Sequence, residues 1–155
     1  MSHVHITRFT PNIGPPPEVT SPLPFTGDDL AGKRILLRVP NWLGDAVMAL
    51  PAIHQFRKRL PDDAQIAILT REKLSSFWSL FPWIDNVFAQ SGKRLDTQLR
   101  HVIRRWSPDL TFILPNSFGS AWDCFKARFP TRIGRSGYGR SSLLHHTIPP
   151  LPPSE

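Results

Sequence analysis

The sequence predicts an α/β fold class, in which a Rossmann-like parallel sheet carries helices on both faces. Two observations predict it. Short aliphatic runs alternate with segments of helical spacing through the middle of the chain, and each intervening helix is long enough for a parallel crossover. The length of 155 residues also suffices for one domain with a buried core.

The first strand and the first helix are predicted between residues 33 and 60. Residues 33–39 form a short aliphatic run typical of a buried strand, and residues 40–44 form the turn after it. Apolar side chains then recur at helical spacing, at Val47, Leu50, Ile53, Phe56 and Leu60. Asp45 stands at the expected N-cap, and Pro51 predicts either a kink or a helix that begins only there.

Strands and helices continue to alternate up to residue 134. The further predicted strands are residues 65–70, 86–89, 110–114 and 131–134, and the predicted helices between them are residues 72–80, 95–106 and 117–129. The last helix has an apolar stripe of Phe118, Ala121, Trp122, Phe125 and Phe129. Strands joined by helices of this length run parallel, so both faces of the sheet are expected to be covered.

Proline divides the chain into three parts. Of the 17 prolines, six lie in the first 30 residues and four in the last seven, which leaves seven for the middle. Residues 1–30 also lack any apolar period. We therefore predict a proline-rich disordered arm at residues 1–30, a folded domain at residues 31–148 and a proline-rich segment at residues 149–155.

Positive charge is concentrated in the middle of the chain. The whole chain carries +7, but residues 31–148 hold 18 of the 19 basic and eight of the 12 acidic side chains, a net charge of +10. This density favours a polyanionic partner such as nucleic acid, anionic lipid head groups or phosphorylated sugars. The single cysteine, Cys124, excludes an internal disulfide and a Cys-based zinc site.

No targeting or spanning segment is expected. The longest apolar runs fall short of the 18 or so residues that cross a bilayer, and the N-terminus lacks the uninterrupted apolar core of a signal peptide. We therefore expect a cytoplasmic, soluble protein.

Ligands of open parallel sheets collect at the carboxyl ends of the strands, and three segments follow predicted strands there: residues 38–51, 114–121 and 132–141. The first lacks the G-x-G-x-x-G fingerprint of dinucleotide sites. Gly44 would let the backbone approach a ligand, and Asp45 either takes a proton from a sugar hydroxyl or only caps the helix.

The other two segments offer groups that suit anions. Asn116 or Ser117 can cap the following helix, whose free N–H groups hold an anion or a sugar hydroxyl. Arg132, Arg135 and Arg140 alternate with glycines, so they are either guanidinium forks for phosphates or solvated loop arginines. No D-x-D pair occurs in the sequence, which argues against a metal-chelated nucleotide-sugar site.

Together the segments RVPNWLGDAVMALPA, DLTFILPNSFGSA and RIGRSGYGRSSLL resemble the ADP-heptose:lipopolysaccharide heptosyltransferases of glycosyltransferase family 9, most closely the heptosyltransferase II type. The resemblance covers residues 33–150. It implies the N-terminal, acceptor-side half of a GT-B enzyme, with residues 149–155 starting the interdomain linker. The donor-binding second domain would then be missing, so this truncated or split chain is not expected to transfer heptose efficiently alone.

The resemblance also implies the reaction. Heptose would pass with inversion from ADP-heptose, the donor substrate, to a phosphorylated lipopolysaccharide inner-core acceptor, with no metal and no cofactor. Contact with the cytoplasmic face of the inner membrane would be peripheral.

The resemblance assigns a role to each candidate site residue. Asp45 would be the general base, which N-capping would hold in position. Arg132, Arg135 and Arg140 would steer the phosphorylated acceptor. The other predicted substrate-binding residues are Asn41, Trp42, Gly44, Asn116 and Ser117.

Two other interpretations stay open. The chain could be an inactive remnant, whose exposed apolar surface would cause aggregation or dimerisation. It could also be a basic nucleic-acid-binding module. The module would account for the charge but not for the carboxylate after the first strand, and the sequence has no RNP-like, helix-turn-helix or zinc signature.

Overall fold

Six strands form one parallel sheet in the computed structural model, which describes residues 25–149. The strands are β1 (Arg34–Arg38), β2 (Gln65–Arg71), β3 (Asn86–Gln90), β4 (Leu110–Ile113), β5 (Arg132–Arg135) and β6 (His146–Ile148). The helices are α1 (Leu43–Arg59), α2 (Ser75–Trp78), α3 (Thr97–Trp106) and α4 (Phe118–Lys126). The predicted α/β class and parallel sheet are confirmed.

The strand order is β3-β2-β1-β4-β5-β6, with every neighbouring pair parallel. The chain moves outward from β1 to β3, then returns to the other side of β1 with β4. Strand order thus reverses between β1 and β4, and in sheets of this kind the crevice beyond the carboxyl ends of such strands is where ligands bind.

Alternating strand residues build a core on each face of the sheet. Leu37 and Ile68 point to the face where Ile53 of α1 and Trp78 of α2 are buried. Leu36, Ala67 and Leu69 point to the opposite face, which is closed by residues of α3 and α4, among them Ile103, Ala121 and Cys124. Side chains of successive strand residues lie on opposite faces, which is why the aliphatic runs are apolar throughout.

The beginning of α1 differs from the prediction. The helix begins at Leu43 with Trp42 as its N-cap, so Asp45 is the third helical residue and not the cap. No Ser, Thr, Asp or Asn stands at the cap position to mark the boundary. Pro51 lies inside the helix, so the alternative in which the helix begins at Pro51 is wrong. Proline here removes a single backbone donor from a 17-residue helix that packs on the sheet.

Two further differences concern the second half of the chain. Strand β6 was not predicted, and its three residues pair with β5 from Ile133↔His146 onward. A short polar stretch before prolines carries no strand signal.

The predicted stripe on α4 is also only partly a core face: Ala121 is fully buried, but Phe118 is 46% exposed and Phe125 is 40% exposed.

The predicted arm is described only at its end. Residues 25–30 fall within it, and there Leu30 is buried and Phe25 packs against the core beside a short 3₁₀ turn. Residues 1–24 and 150–155 lie outside the described residues, together with what was predicted for them. Within residues 25–149, no helix is both long and apolar enough to cross a membrane.

Cys124 is fully buried against the sheet, and burial raises the pKa of its thiol to about 12. An ordinary thiol has a pKa of about 8.5, and only the thiolate reacts readily. We expect no reaction of the folded chain with Ellman's reagent at about pH 8, and one thiol per chain after unfolding in urea. Rapid labelling of the folded chain would contradict the buried position.

Candidate active site

Two turns meet at the carboxyl edge of the sheet, where the strand order reverses. The β1–α1 turn is held by the Val39 N–H, which donates to the Leu69 carbonyl at 3.1 Å. The β4–α4 turn is held by the Leu114 N–H, which donates to the Arg38 carbonyl at 3.0 Å. Backbone hydrogen bonds thus fix both turns beside the ends of β1, β2 and β4.

Asp45 lies exposed in the first turn of α1. The N-cap residue, Trp42, makes no side-chain capping hydrogen bond. Amide N–H groups in this turn and the positive end of the helix dipole both favour a carboxylate or another anion here. Gly44 adds access, because a Cβ atom built on it would have no neighbour within 4 Å.

Arg38 lies at the site but was not among the predicted site residues. It ends β1 with a side chain only 2% exposed, and burial lowers its pKa. Its guanidinium donates to the carbonyl oxygens of Val39 and Leu69, both at 3.3 Å, and to Asn41 Oδ1 at 3.0 Å. Asn41 is thereby oriented with its amide N–H donors still available. In the sequence, the only indication of this role is that Arg38 is a basic residue at the end of an aliphatic strand.

Ser117 is the N-cap of α4, as one of the two predicted alternatives had it. Its hydroxyl accepts from the Ser120 N–H at 3.3 Å and lies 2.9 Å from the Ser120 hydroxyl. Asn116, the other alternative, does not cap α4 and is exposed. With Arg135 at the end of β5 and Ile148 of β6, it lines a pocket of about 420 Å³.

Arg140 does not reach solvent, so the prediction that it steers an acceptor is wrong. Its side chain is fully buried, and its guanidinium donates to the carbonyl oxygens of Pro115, Ser117 and Ile113. Gly134 leaves room for it, because a Cβ atom there would lie 2.5 Å from Arg140 Nη2. Arg140 therefore supports the β4–α4 turn from behind.

Arg132 also lies away from the predicted site. It begins β5, opposite Thr111, at the amino edge of the sheet. Its guanidinium donates to the carbonyl oxygens of Leu143 and Phe129, each at 2.7 Å. Arg135 lies at the other end of this four-residue strand, at the carboxyl edge of the sheet. It is the only one of the three predicted arginines that is exposed at that edge.

Cations other than the three predicted arginines share a pocket with Asn41. A pocket of about 180 Å³ is lined by Arg38, Asn41, Ser117 and further residues, among which the cations are Arg71, Lys93 and Arg94. Arg94 forms an ion pair with Asp123 at 3.3 Å. Arg71 ends β2, and Lys93 and Arg94 follow β3, so their position beside the β1–α1 turn could be predicted only from the strand order.

A second polar pocket adjoins the first through Asn41. It has a volume of about 420 Å³ and includes Trp42, Arg71 and Lys73 in its lining. The Lys73 ammonium lies 4.4 Å from the centroid of the Trp42 ring, a cation–π contact. The structure therefore brings Asn41 and Trp42 to this pocket and Asn41 and Ser117 to the smaller one, whereas Asn116 and Arg135 line a separate pocket.

Comparison with known proteins shows what the chain is similar to. It is 29% identical over 126 residues to lipooligosaccharide heptosyltransferase 2 of Haemophilus ducreyi. It is also 29% identical over 120 residues to lipopolysaccharide heptosyltransferase 2 of Salmonella typhimurium and of Escherichia coli. These matches cover 72% of the chain but only 33% to 34% of the relatives, so the chain spans about a third of their length.

Solved structures give the same similarity. The Escherichia coli ADP-heptose lipopolysaccharide heptosyltransferase II superposes with a TM-score of 0.61 at 30% identity, over 72% of the chain and 33% of that structure. A glycosyl transferase family 9 structure from Veillonella parvula has the same fold, with a TM-score of 0.67 at 22% identity over 76% of the chain and 36% of that structure. No protein-family model matches the chain. The predicted resemblance to heptosyltransferases of glycosyltransferase family 9 is confirmed.

Proposed function

We propose that the chain is the acceptor-binding part of a glycosyltransferase that transfers heptose from ADP-heptose to the lipopolysaccharide inner core. The similarity to heptosyltransferase 2 proteins in sequence and fold supports this proposal. Because the chain spans about a third of those relatives, the complete reaction is assigned to this domain acting with a donor-binding domain.

One observation carries the proposal: an exposed carboxylate, Asp45, stands beside an unobstructed glycine, Gly44, where the strand order reverses. A general base must reach the proton that it removes, and an open edge of the sheet gives a sugar hydroxyl that access. The positive end of the helix dipole interacts favourably with a carboxylate in this turn. Polar pockets on the side of Asn41 give room for the rest of an oligosaccharide.

In the proposed step, Asp45 takes the proton from an acceptor hydroxyl as its oxygen attacks C1 of the heptose. The bond from C1 to the diphosphate oxygen breaks on the opposite side, ADP leaves, and the configuration at C1 inverts. Proton transfer by a positioned side chain contributes about 10² to 10⁴ in rate. Holding the two substrates in line supplies the remaining acceleration.

The proposal includes neither a metal nor a cofactor. The acceptor is a membrane lipid, so we also propose that the protein acts at the cytoplasmic face of the inner membrane by peripheral contact.

Leu43, Val47 and Met48 are exposed apolar residues on the first turns of α1. They flank Asp45 and suit a contact with the donor-binding domain across the cleft.

A fusion tests the proposed function. The chain replaces the matching third of the Escherichia coli heptosyltransferase II, which supplies the remaining two-thirds. With ADP-heptose and inner-core oligosaccharide, we expect ADP release and a product heavier by one heptose. The fusion without acceptor is the control. A folded fusion that binds both substrates and forms no product would contradict the proposal.

Gly44→Ala separates ligand approach from folding. Alanine has a helix propensity about 1 kcal/mol better than glycine, and its methyl group meets no other atom, so we expect a melting temperature equal to or above that of the parent. The same methyl group occupies the space through which a sugar reaches Asp45. We therefore expect acceptor affinity to fall by about tenfold in calorimetric titration. Unchanged affinity would place the acceptor elsewhere.

A further inference from the structure

We propose that the outer side of α4, together with a cationic pocket at its C-terminal end, docks on a membrane surface that contains anionic phospholipids. The outer side carries Phe118, Trp122 and Phe125, which we call the α4 aromatic row. The pocket has a volume of about 520 Å³. This inference rests on the proposed function for the choice of a membrane as the partner. The surface itself is assigned from its own side chains.

The α4 aromatic row supplies the apolar part of the surface. Its three residues recur at helical spacing, so they lie on one side of α4. Phe118 is 46% exposed and Phe125 is 40% exposed, and Trp122 between them is partly buried. The ring centroids are 6.0 Å apart for Phe118 and Trp122, and 5.7 Å apart for Trp122 and Phe125. Adjacent exposed aromatic side chains on one side of a helix indicate an interaction surface.

Cations surround the C-terminal end of this row. Lys126 and Arg128 are exposed, and both line the pocket together with Arg132. None of the described residues that line the pocket is acidic. A lipid phosphate would therefore meet donors and no competing carboxylate. Each Lys or Arg close to an anionic membrane surface strengthens binding by about fivefold.

Two further donors of the pocket are held in place by the protein. The Arg132 guanidinium donates to the carbonyl oxygens of Leu143 and Phe129 through Nε and Nη1, which leaves Nη2 available. The Arg132 backbone N–H donates to His145 Nδ1 at 2.9 Å, so the proton of the neutral ring is on Nε2. Burial lowers the pKa of His145, which favours this neutral form. The pocket is thus built to donate hydrogen bonds to an anion.

The position of α4 relates this surface to the candidate active site. The helix begins at Phe118, next to Ser117 at the carboxyl edge of the sheet, and its nine residues extend about 13 Å toward the amino edge. Arg132 begins β5 at that amino edge. A membrane lying along α4 would therefore contact both the row and the pocket. The carboxyl edge would then lie beside the head groups, where the sugars of a membrane-anchored acceptor reach Asp45.

Stacking within the row favours a membrane over single-stranded nucleic acid. Bases bind on the open faces of aromatic rings. Here the rings stack on one another, and the Lys126 Nζ atom lies 5.8 Å from the centroid of Trp122. The Arg132 Cζ atom lies 5.2 Å from the centroid of Phe125. Ring edges therefore remain for a partner, and such edges suit the boundary between lipid head groups and acyl chains.

Sedimentation of the full 155-residue chain with lipid vesicles tests this inference. One set of vesicles contains phosphatidylcholine with about 30% phosphatidylglycerol, and the other contains phosphatidylcholine alone. At about 0.15 M salt, we expect the anionic vesicles to bind the chain at least about tenfold more tightly. Glycerol 3-phosphate offers a phosphate without acyl chains. At the same concentration as the phosphatidylglycerol, it should not displace the chain from the vesicles.

Two variants test the two parts of the surface separately. Arg128→Gln removes an exposed cation, so binding to the anionic vesicles should weaken by about fivefold. Phe118→Ser removes an exposed ring and should weaken it by about tenfold. The matched controls are Arg59→Gln and Met48→Ser, because both residues are exposed on α1, which packs on the opposite face of the sheet. Each control should bind within about twofold of the parent.

Four results would overturn this inference. They are equal binding to both kinds of vesicle, an equal loss of affinity in the control variants, displacement by glycerol 3-phosphate, and binding of random single-stranded RNA without binding of vesicles. The outcome is separate from that of the proposed function. Vesicle binding is measured without transfer, and the fusion is assayed with a soluble oligosaccharide, so neither result decides the other.

Discussion

Asp45→Asn lowers heptose transfer by the fusion at least about a hundredfold, at saturating donor and acceptor. Asparagine has nearly the same size and shape as aspartate but cannot take a proton from the acceptor hydroxyl. Asp45 is exposed in the first turn of α1, so the substitution creates neither a cavity nor a clash. The rate constant for ADP release is the measured quantity, and the acceptor affinity should stay within about threefold of the parent.

Stability distinguishes loss of a base from loss of the fold. The carboxylate interacts favourably with the helix dipole, an effect of about 0.3 to 1 kcal/mol, so only a small decrease in unfolding free energy is expected for Asp45→Asn. Asp62→Asn is the matched control, because Asp62 is an exposed carboxylate between α1 and β2. Transfer by Asp45→Asn at near-parental rates would assign Asp45 to helix stabilisation alone and would refute its role as base.

Arg140→Met destabilises the domain by about 2 to 4 kcal/mol, the second large expected effect. The fully buried guanidinium donates to three carbonyl oxygens, those of Ile113, Pro115 and Ser117, at the end of β4 and the start of α4. Methionine fills much of the volume but donates no hydrogen bond. The hydrogen bond to the Ile113 carbonyl is buried, and a buried carbonyl left without a donor costs about 1 to 3 kcal/mol. Loss of the part-buried bonds to the Pro115 and Ser117 carbonyls adds to this cost. Urea unfolding followed by tryptophan fluorescence measures the change.

Arg135→Met is the matched control for this prediction. Arg135 is exposed at the end of β5, and surface substitutions of this kind change stability by about 0.5 kcal/mol or less. Gly134→Ala should reproduce the effect of Arg140→Met in part, because its methyl group would displace the Arg140 guanidinium. If Arg140→Met unfolds at the same urea concentration as the parent, Arg140 does not support the β4–α4 turn.

The strands could be predicted because their residues are buried on both faces and therefore uniformly apolar. β1, β2 and β4 were predicted to within about one or two residues at each end, as is usual for helix and strand boundaries. β6 could not be predicted, because its burial is slight and its residues are polar or next to proline. The N-cap of α1 was predicted three residues late, at Asp45, because the observed cap, Trp42, makes no side-chain hydrogen bond.

The candidate site was predicted best where it is local in the sequence. Asn41, Trp42, Gly44 and Asp45 lie in one turn, and the structure keeps them at the carboxyl edge. The roles of the three arginines were harder to predict, since alternating Arg and Gly residues fit both a phosphate-binding loop and buried arginines that hydrogen-bond to the backbone. Arg140 proved to be a support because Gly134 leaves space for its guanidinium. Arg71 could be placed at the site only from the strand order.

The most direct test of the acceptor site is a nuclear magnetic resonance titration of the 155-residue chain with three ligands at about 0.15 M salt. The ligands are inner-core oligosaccharide, ADP and a random single-stranded RNA. The proposed function predicts that the oligosaccharide binds and shifts the backbone amides of residues 41–45, while ADP and RNA leave them unchanged. Salt-dependent RNA binding without oligosaccharide binding would contradict it and would favour a nucleic-acid-binding module.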